Sequence, residues 1–178
     1  MDPIQTLDFM SENNDKIYSP MLYGYVNYSR EGFRKNRIKF DDMPSFDSSF
    51  KVNCKGSQIG GTGLAISAFS KNIDLALDYA FWVASQECQS SLFYFSGGQP
   101  GHLDAWKNNQ INKDSLNFFL STLKTMENGW VRPRYNGYMY FQDIAGSIIN
   151  DFLNSDDKEE TIIDKLTREF EKSFDVNK

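Results

Sequence analysis

The sequence predicts an α/β, helix-rich fold, and three observations lead there. Apolar residues recur at helical spacing over most of the chain. Only two short runs, 38–40 and 64–66, read as strands. Two strands of that length cannot make a full sheet. The chain is therefore either an α-rich domain or one whose sheet partners lie on another segment.

The elements follow in order. Asp2 can cap a first helix, Pro3 suits its first position, and Ile4, Leu7 and Met10 share a face. The polar cluster from Ser11 to Lys16 ends it. Residues 18–35 are rich in tyrosine and broken by Pro20, Gly24 and Gly32. Ile38 to Phe40 is the first strand candidate, closed by Asp41 and Asp42, and 44–58 is a polar loop. GGTGLAIS at 60–67 combines glycines that permit close backbone approach with the second candidate.

A long helix is expected from Ile73 to Phe95, capped by Asn72, with Asp74 favourably placed at its N-terminus. Leu75, Tyr79, Trp82 and Val83 lie on one face, and Ala76, Ala80 and Ala84 widen the apolar surface. A helix apolar nearly all round is a buried helix. Gly97 and Gly98 stop it. The next helix begins at Asn112 and carries Leu116, Phe119, Leu120, Leu123 and Met126 to Gly129. After the loop 130–138, a helix over 140–153 shows a stripe of Phe141, Ile144, Ala145, Ile148, Ile149 and Phe152. A last helix over 158–174 aligns Ile162, Ile163, Leu166, Phe170 and Phe174, with Asp157 and Glu160 favouring its start.

Composition excludes several classes. The 178 residues suffice for one core, and 40% hydrophobic with 24% charged residues is ordinary for a globular domain. A net charge of -5 with no run of Lys and Arg opposes nucleic-acid binding; Arg34, Lys35 and Arg37 stand beside Asp41 and Asp42. Cys54 and Cys88 make no framework, and whether they pair is open. No stretch is apolar for long enough to span a bilayer, and the start shows no basic n-region or apolar h-region.

Catalytic and metal constellations are weak. His102 is the only histidine; with Asp104 it makes no metal set, and it reads as a polar loop or helix-start residue. No G-x-S-x-G elbow accompanies it. Cys88 falls in a helix expected to be buried, where an inert thiol is the default, and Cys54 has no local base. Asp156 and Asp157 suit a helix N-terminus, and Asp41 and Asp42 end a strand. GGTG at 60–63 and SGGQPG at 96–101 fit neither the dinucleotide nor the P-loop pattern. No enzyme activity, cofactor or metal is expected.

What remains is chemistry for binding. Fifteen Phe, nine Tyr and three Trp bring the aromatic content to 15%. YGYVNYSR at 23–30 and WVRPRYNGYMYFQ at 130–142 combine rings with Arg, Asn and Gln. A ring face covers the C–H face of a sugar while the polar groups bond its hydroxyls. Arginine equally suits a carboxylate. Several of these rings must instead be core, and Arg132 could serve a structural ion pair.

GGTGLAIS followed by SKNIDLALDYAFWVASQECQ resembles a block of the family 1 extracellular solute-binding proteins of bacterial ABC importers. FSGGQPGHLDAW, the loop WVRPRYNGYMYFQD, YGYVNYSR, IKFDDMP and the terminal helix fit in the same order, over 18–174. The resemblance implies the C-terminal portion of a type II periplasmic-binding-protein fold, with the ligand between two lobes. Residues 1–66 would belong to the second lobe, 67–111 would return to the first, and 112–178 would supply the second lobe's last helices. The helix from Ile73 would then pack on the first lobe, most of which, with the export signal, this chain lacks.

The implied ligand is a carbohydrate or similar small polar metabolite. By position, Tyr23, Tyr25, Asn27, Gly61, Thr62, Trp130, Arg132 and Arg134 would line the cleft. The partners implied are that solute, the missing N-terminal lobe and an ABC permease, at an extracellular or periplasmic location. The alternative is a helical protein-interaction module that keeps this ancestry without binding a small ligand.

Overall fold

A computed structural model describes residues 2–15, 17–44 and 57–174. They form two compact units, Met1–Trp130 and Val131–Lys178.

The first unit opens with α1, Pro3–Glu12. Asp2 Oδ1 accepts from Gln5 N at 2.8 Å, and Asp2 N donates to Gln5 Oε1 at 3.2 Å, a reciprocal cap. Leu7 is fully buried, packing with Tyr28 and Ile38, while Ile4 stays exposed. Asp8 holds this corner: it accepts from Tyr28 Oη at 2.7 Å and from Arg34 Nε at 2.8 Å. The tyrosine hydroxyl first, then the guanidinium, keep the Asp8 carboxyl below its ordinary value.

The expected strands do not form. Among the described residues the only β pairing is a single parallel bridge between Gln58 and Trp130. Residues 38–40 and 64–66 are irregular. Ile38 instead spends its amide on the Tyr28 carbonyl, at 2.8 Å, and its carbonyl accepts from Ser29 Oγ at 2.7 Å. The α/β expectation is thus corrected to a helix-rich fold.

The single helix expected over 73–95 is also corrected. α2 runs from Ile73 to Ala84, α3 from Gln86 to Cys88, and a wider turn follows at Gln89–Phe93. Ser85 makes the break. Its backbone is extended and its Oγ accepts from Cys88 N, so it closes one helix and caps the next. Asn72 makes no side-chain cap. Cys88 is buried as a free thiol, while Cys54 lies outside the described residues.

After α4 (Leu103–Trp106), α5 (Asn109–Asp114), α6 (Phe118–Ser121) and α7 (Leu123–Glu127) replace the continuous helix expected from Asn112. Leu116 and Asn117 break it with left-handed backbone, φ 51° and 61°. The reward is burial of Phe118 and Phe119. They pack with Tyr94, Trp106, Ile111 and Val26 in the main core.

Tyr94 anchors that core. Its hydroxyl donates to Asp114 Oδ2 at 2.6 Å, and burial with this bond pushes its pKa up to about 12. Arg30 lies over its ring, 3.9 Å from the centroid, and donates to the Tyr94 carbonyl. The raised value stabilises the fold fully below pH ~10, and that contribution is lost as pH climbs from there to about 12. Tyr94→Phe is expected to remove this alkaline limb. Urea melts at successive pH values should then fall less steeply above pH ~10 than those of the parent; an unchanged slope would assign the limb elsewhere.

The second unit is an antiparallel helical hairpin of α8 (Tyr138–Leu153) and α9 (Glu159–Ser173), within two residues of both expected helices. Its base is aromatic: Tyr135 stacks on Phe174 at 4.4 Å, and Phe170 meets Phe141 at 5.2 Å. Gly137 sits at φ +113°, where a β-carbon would stand 1.9 Å from the Ser173 carbonyl oxygen. Only glycine lets the base close there.

Candidate functional site

Six of the eight predicted site residues lie in the first unit. Gln99 fixes the loop that carries three of them. Its Oε1 accepts from Val26 N at 2.8 Å and its Nε2 donates to the Gly24 carbonyl at 3.3 Å. Gly24 packs against Phe118; a β-carbon would stand 3.0 Å from the ring edge. Pinned on both sides, the YGYVNYSR segment turns Val26 and Tyr28 inward and leaves Tyr23 and Tyr25 outward. Asn27 is half-buried on the short 3-10 turn Val26–Ser29.

Tyr23 is 46% exposed and lies against Gly60, where a β-carbon would stand 3.5 Å from Cε1. Gly61 and Thr62 follow, both exposed; the backbone of Gly61 faces open space. Trp130 meets the same stretch from the other end. Its amide donates to the Ser57 carbonyl at 2.7 Å, and its carbonyl accepts from Ile59 N at 2.9 Å. Gly129 admits the Ile59 side chain, since a β-carbon would lie 2.5 Å from Ile59 Cγ1. The Trp130 ring remains 44% exposed.

The structure therefore brings Tyr23, Gly61, Thr62 and Trp130 along one backbone stretch, 57–62. Tyr25 and Asn27 follow Tyr23 in sequence, the first exposed and the second half-buried. Arg132 and Arg134 fall in the second unit. Arg132 reaches Met139 Sδ at 3.8 Å, and Arg134 is exposed.

The groups set aside for chemistry have structural places. His102 is a helix-start residue: its Nδ1 accepts from Asp104 N at 3.2 Å. Asp42 ends no strand; its Oδ1 accepts from Thr125 N and Thr125 Oγ1 at 2.9 and 2.8 Å, capping α7 from 83 residues away. Among the described residues no three His, Cys, Asp or Glu side chains gather to hold a metal. None of their helices is long and apolar enough to cross a membrane.

Two features escape the sequence reading. Gln89 ties α2 to the 96–101 loop, donating to the Val83 carbonyl at 2.7 Å and accepting from Gly101 N at 2.8 Å. A lone glutamine gives no signal of such a role. The second feature is the exposure of α2, which has no buried residue. Its composition predicts burial, so the helix contradicts the reading most directly.

Comparison of the chain with protein-family models, with curated proteins and with solved structures finds no match.

Proposed function

We propose that this chain binds a small polar solute, of carbohydrate class, as part of a two-lobed solute-binding protein serving an ABC importer outside the cytoplasm. The fold in this reading is of the type II periplasmic-binding-protein kind, and the chain contributes one wall of the cleft. One observation carries the reading. Two half-exposed rings, Tyr23 and Trp130, attend a backbone stretch whose Gly60 and Gly61 bear no side chains. Such a stretch lets a sugar ring approach the peptide groups while aromatic faces cover its C–H side. No step of bond making is assigned, and no cofactor enters.

The test is a thermal-shift titration with mono- and oligosaccharides, organic acids and amino acids. A dose-dependent rise from the saccharides is expected, since a ligand that binds only the folded state stabilises it by mass action. Tyr23→Ala and Trp130→Ala should each weaken binding about tenfold, or ~1.4 kcal/mol. No shift from any solute would sink this reading for the chain.

The second reading is a protein-interaction module, and the exposure of α2 favours it. Leu75, Tyr79 and Phe81 all stand more than half in solvent on a helix of nearly continuous apolar sequence. Large exposed apolar patches mark interaction surfaces.

A further inference from the structure

We propose that α2 of one copy of this chain docks into the groove between α8 and α9 of a second copy. The inference rests on the interaction-module reading and names its partner.

The ridge comes first. Ala76, Ala80 and Val83 are the half-buried side chains of α2. At 100° per residue, Leu75, Tyr79 and Trp82 form one flank of the helix and Ile73 and Leu77 the other. Asp74 and Asp78 occupy a narrow outward stripe between them. Most of the circumference is thus apolar, and the polar part is wholly acidic.

The area is that of an interface. Phe69, Tyr79, Phe81 and Trp82 alone leave on the order of 600 Å² in solvent. With Leu64, Ile73, Leu75 and Leu77 the segment shows about 1,000 Å². A free monomer's largest patch is about 300–600 Å². A stable interface takes about 800 Å² from each partner.

The groove is the complement. Ile144 and Ile148, one helical turn apart on α8, line one side, and Lys165, Arg168 and Lys172 line its α9 side, around an open hollow of about 410 Å³. Glu169 also lines it and binds Lys172 at 2.6 Å, leaving the wall cationic by two charges. Sharing Ile148 and Lys165, a second hollow of about 140 Å³ continues the groove past Phe152 and Ile162 to Asp151 and Asp157. Lys165 leans to Asp157 at 3.8 Å there. An apolar ridge with acids at its N-terminal half fits an apolar groove with cations at one end. Asp74 and Asp78 then face Lys165, Arg168 and Lys172, while Phe81 and Trp82 run toward Phe152 and Ile162. On a chain of net charge -5, this groove is where a second copy's acidic helix is attracted rather than repelled.

Analytical ultracentrifugation of the full chain tests this from low to high micromolar concentration. The expected result is a mass above the monomer that grows with concentration and falls with added salt. The pair Asp74→Lys, Asp78→Lys and the triple Lys165→Glu, Arg168→Glu, Lys172→Glu are each expected to weaken association at least tenfold alone. Mixed together they should associate again, because the triple variant's unchanged acidic α2 meets the pair variant's unchanged cationic groove, and the pair's new cations meet the triple's new acids. All five positions are on the surface, and circular dichroism checks that the variants fold. A monomer at every concentration overturns the proposal. So does association that both variants leave intact, as when another partner surface is used, or a mixture that fails to recover. The solute reading is scored separately by thermal shift on the same variants, whose Tyr23 and Trp130 are untouched.

Discussion

Phe119→Ala is expected to cost about 3–5 kcal/mol, a large part of the stability of any domain this size. Phe119 is fully buried, and three rings meet it edge-on. Phe118 lies at 5.0 Å, Trp106 at 5.1 Å and Tyr94 at 6.1 Å. These rings come from α4, from α6 and from the segment after the wide turn, so a cavity at Phe119 loosens three elements together. Collapse to fill it is restrained, because Trp106 Nε1 is held by the Pro100 carbonyl at 2.8 Å and the Tyr94 hydroxyl by Asp114. The cost should therefore lie toward the upper end of that range. Leu120→Ala is the control. That side chain is the next in sequence but 43% exposed, and its truncation should cost about 1 kcal/mol. Urea unfolding followed by tryptophan fluorescence reads both. Equal losses at the two positions would mean that the core does not centre on Phe119.

The same contrast explains what was legible in the sequence. α1, α8 and α9 are legible nearly to the residue because their information is local: a cap at Asp2 with Pro3 after it, and unbroken stripes from Phe141 to Phe152 and Ile162 to Phe174. Breaks in the other helices depend on distant partners. Leu116 is a good helix former on its own, and its left-handed φ is repaid through burial of Phe118 and Phe119 in a core built with Tyr94, Trp106 and Ile111 and, over 90 positions away, Val26. The runs at 38–40 and 64–66 have the composition of strands, but a strand exists only where another pairs with it. Of the candidate site, Tyr23, Gly61, Thr62 and Trp130 are nominated by their position in the resemblance, beside the aromatic loops and glycines that the sequence itself displays. Their common stretch depends on the Gln58–Trp130 pairing across 72 residues, which no local pattern encodes. The helix from Ile73 marks a different limit. An apolar sequence says that a helix is to be covered, not what covers it.

Asn112→Asp is expected to be strongly destabilising at neutral pH. Asn112 is 2% exposed and uses both ends of its amide. Nδ2 donates to the Trp106 carbonyl at 2.7 Å and the Asn108 carbonyl at 2.9 Å, and Oδ1 accepts from Leu120 N at 3.0 Å. One side chain thus joins α4, α5 and α6. An aspartate keeps the shape and the acceptor but puts an anionic oxygen against two carbonyl oxygens. An unpaired buried charge of this kind costs about 3 kcal/mol or more. The group escapes part of that cost by holding its proton, which raises its folded pKa above the unfolded value of ~3.9. The sign follows from linkage: the variant is least impaired below pH ~3.9 and loses stability as pH rises, until its folded form ionises. The protonated acid still has one donor for two carbonyls, so even there it stays below the parent. Asn112→Leu separates charge from lost bonds, since it abandons all three partners and adds no titration. Urea midpoints for both variants at mildly acidic and neutral pH decide the matter. The aspartate's deficit should widen with pH and the leucine's should not; parallel behaviour of the two would show that Asn112 Nδ2 does not face the carbonyls as described.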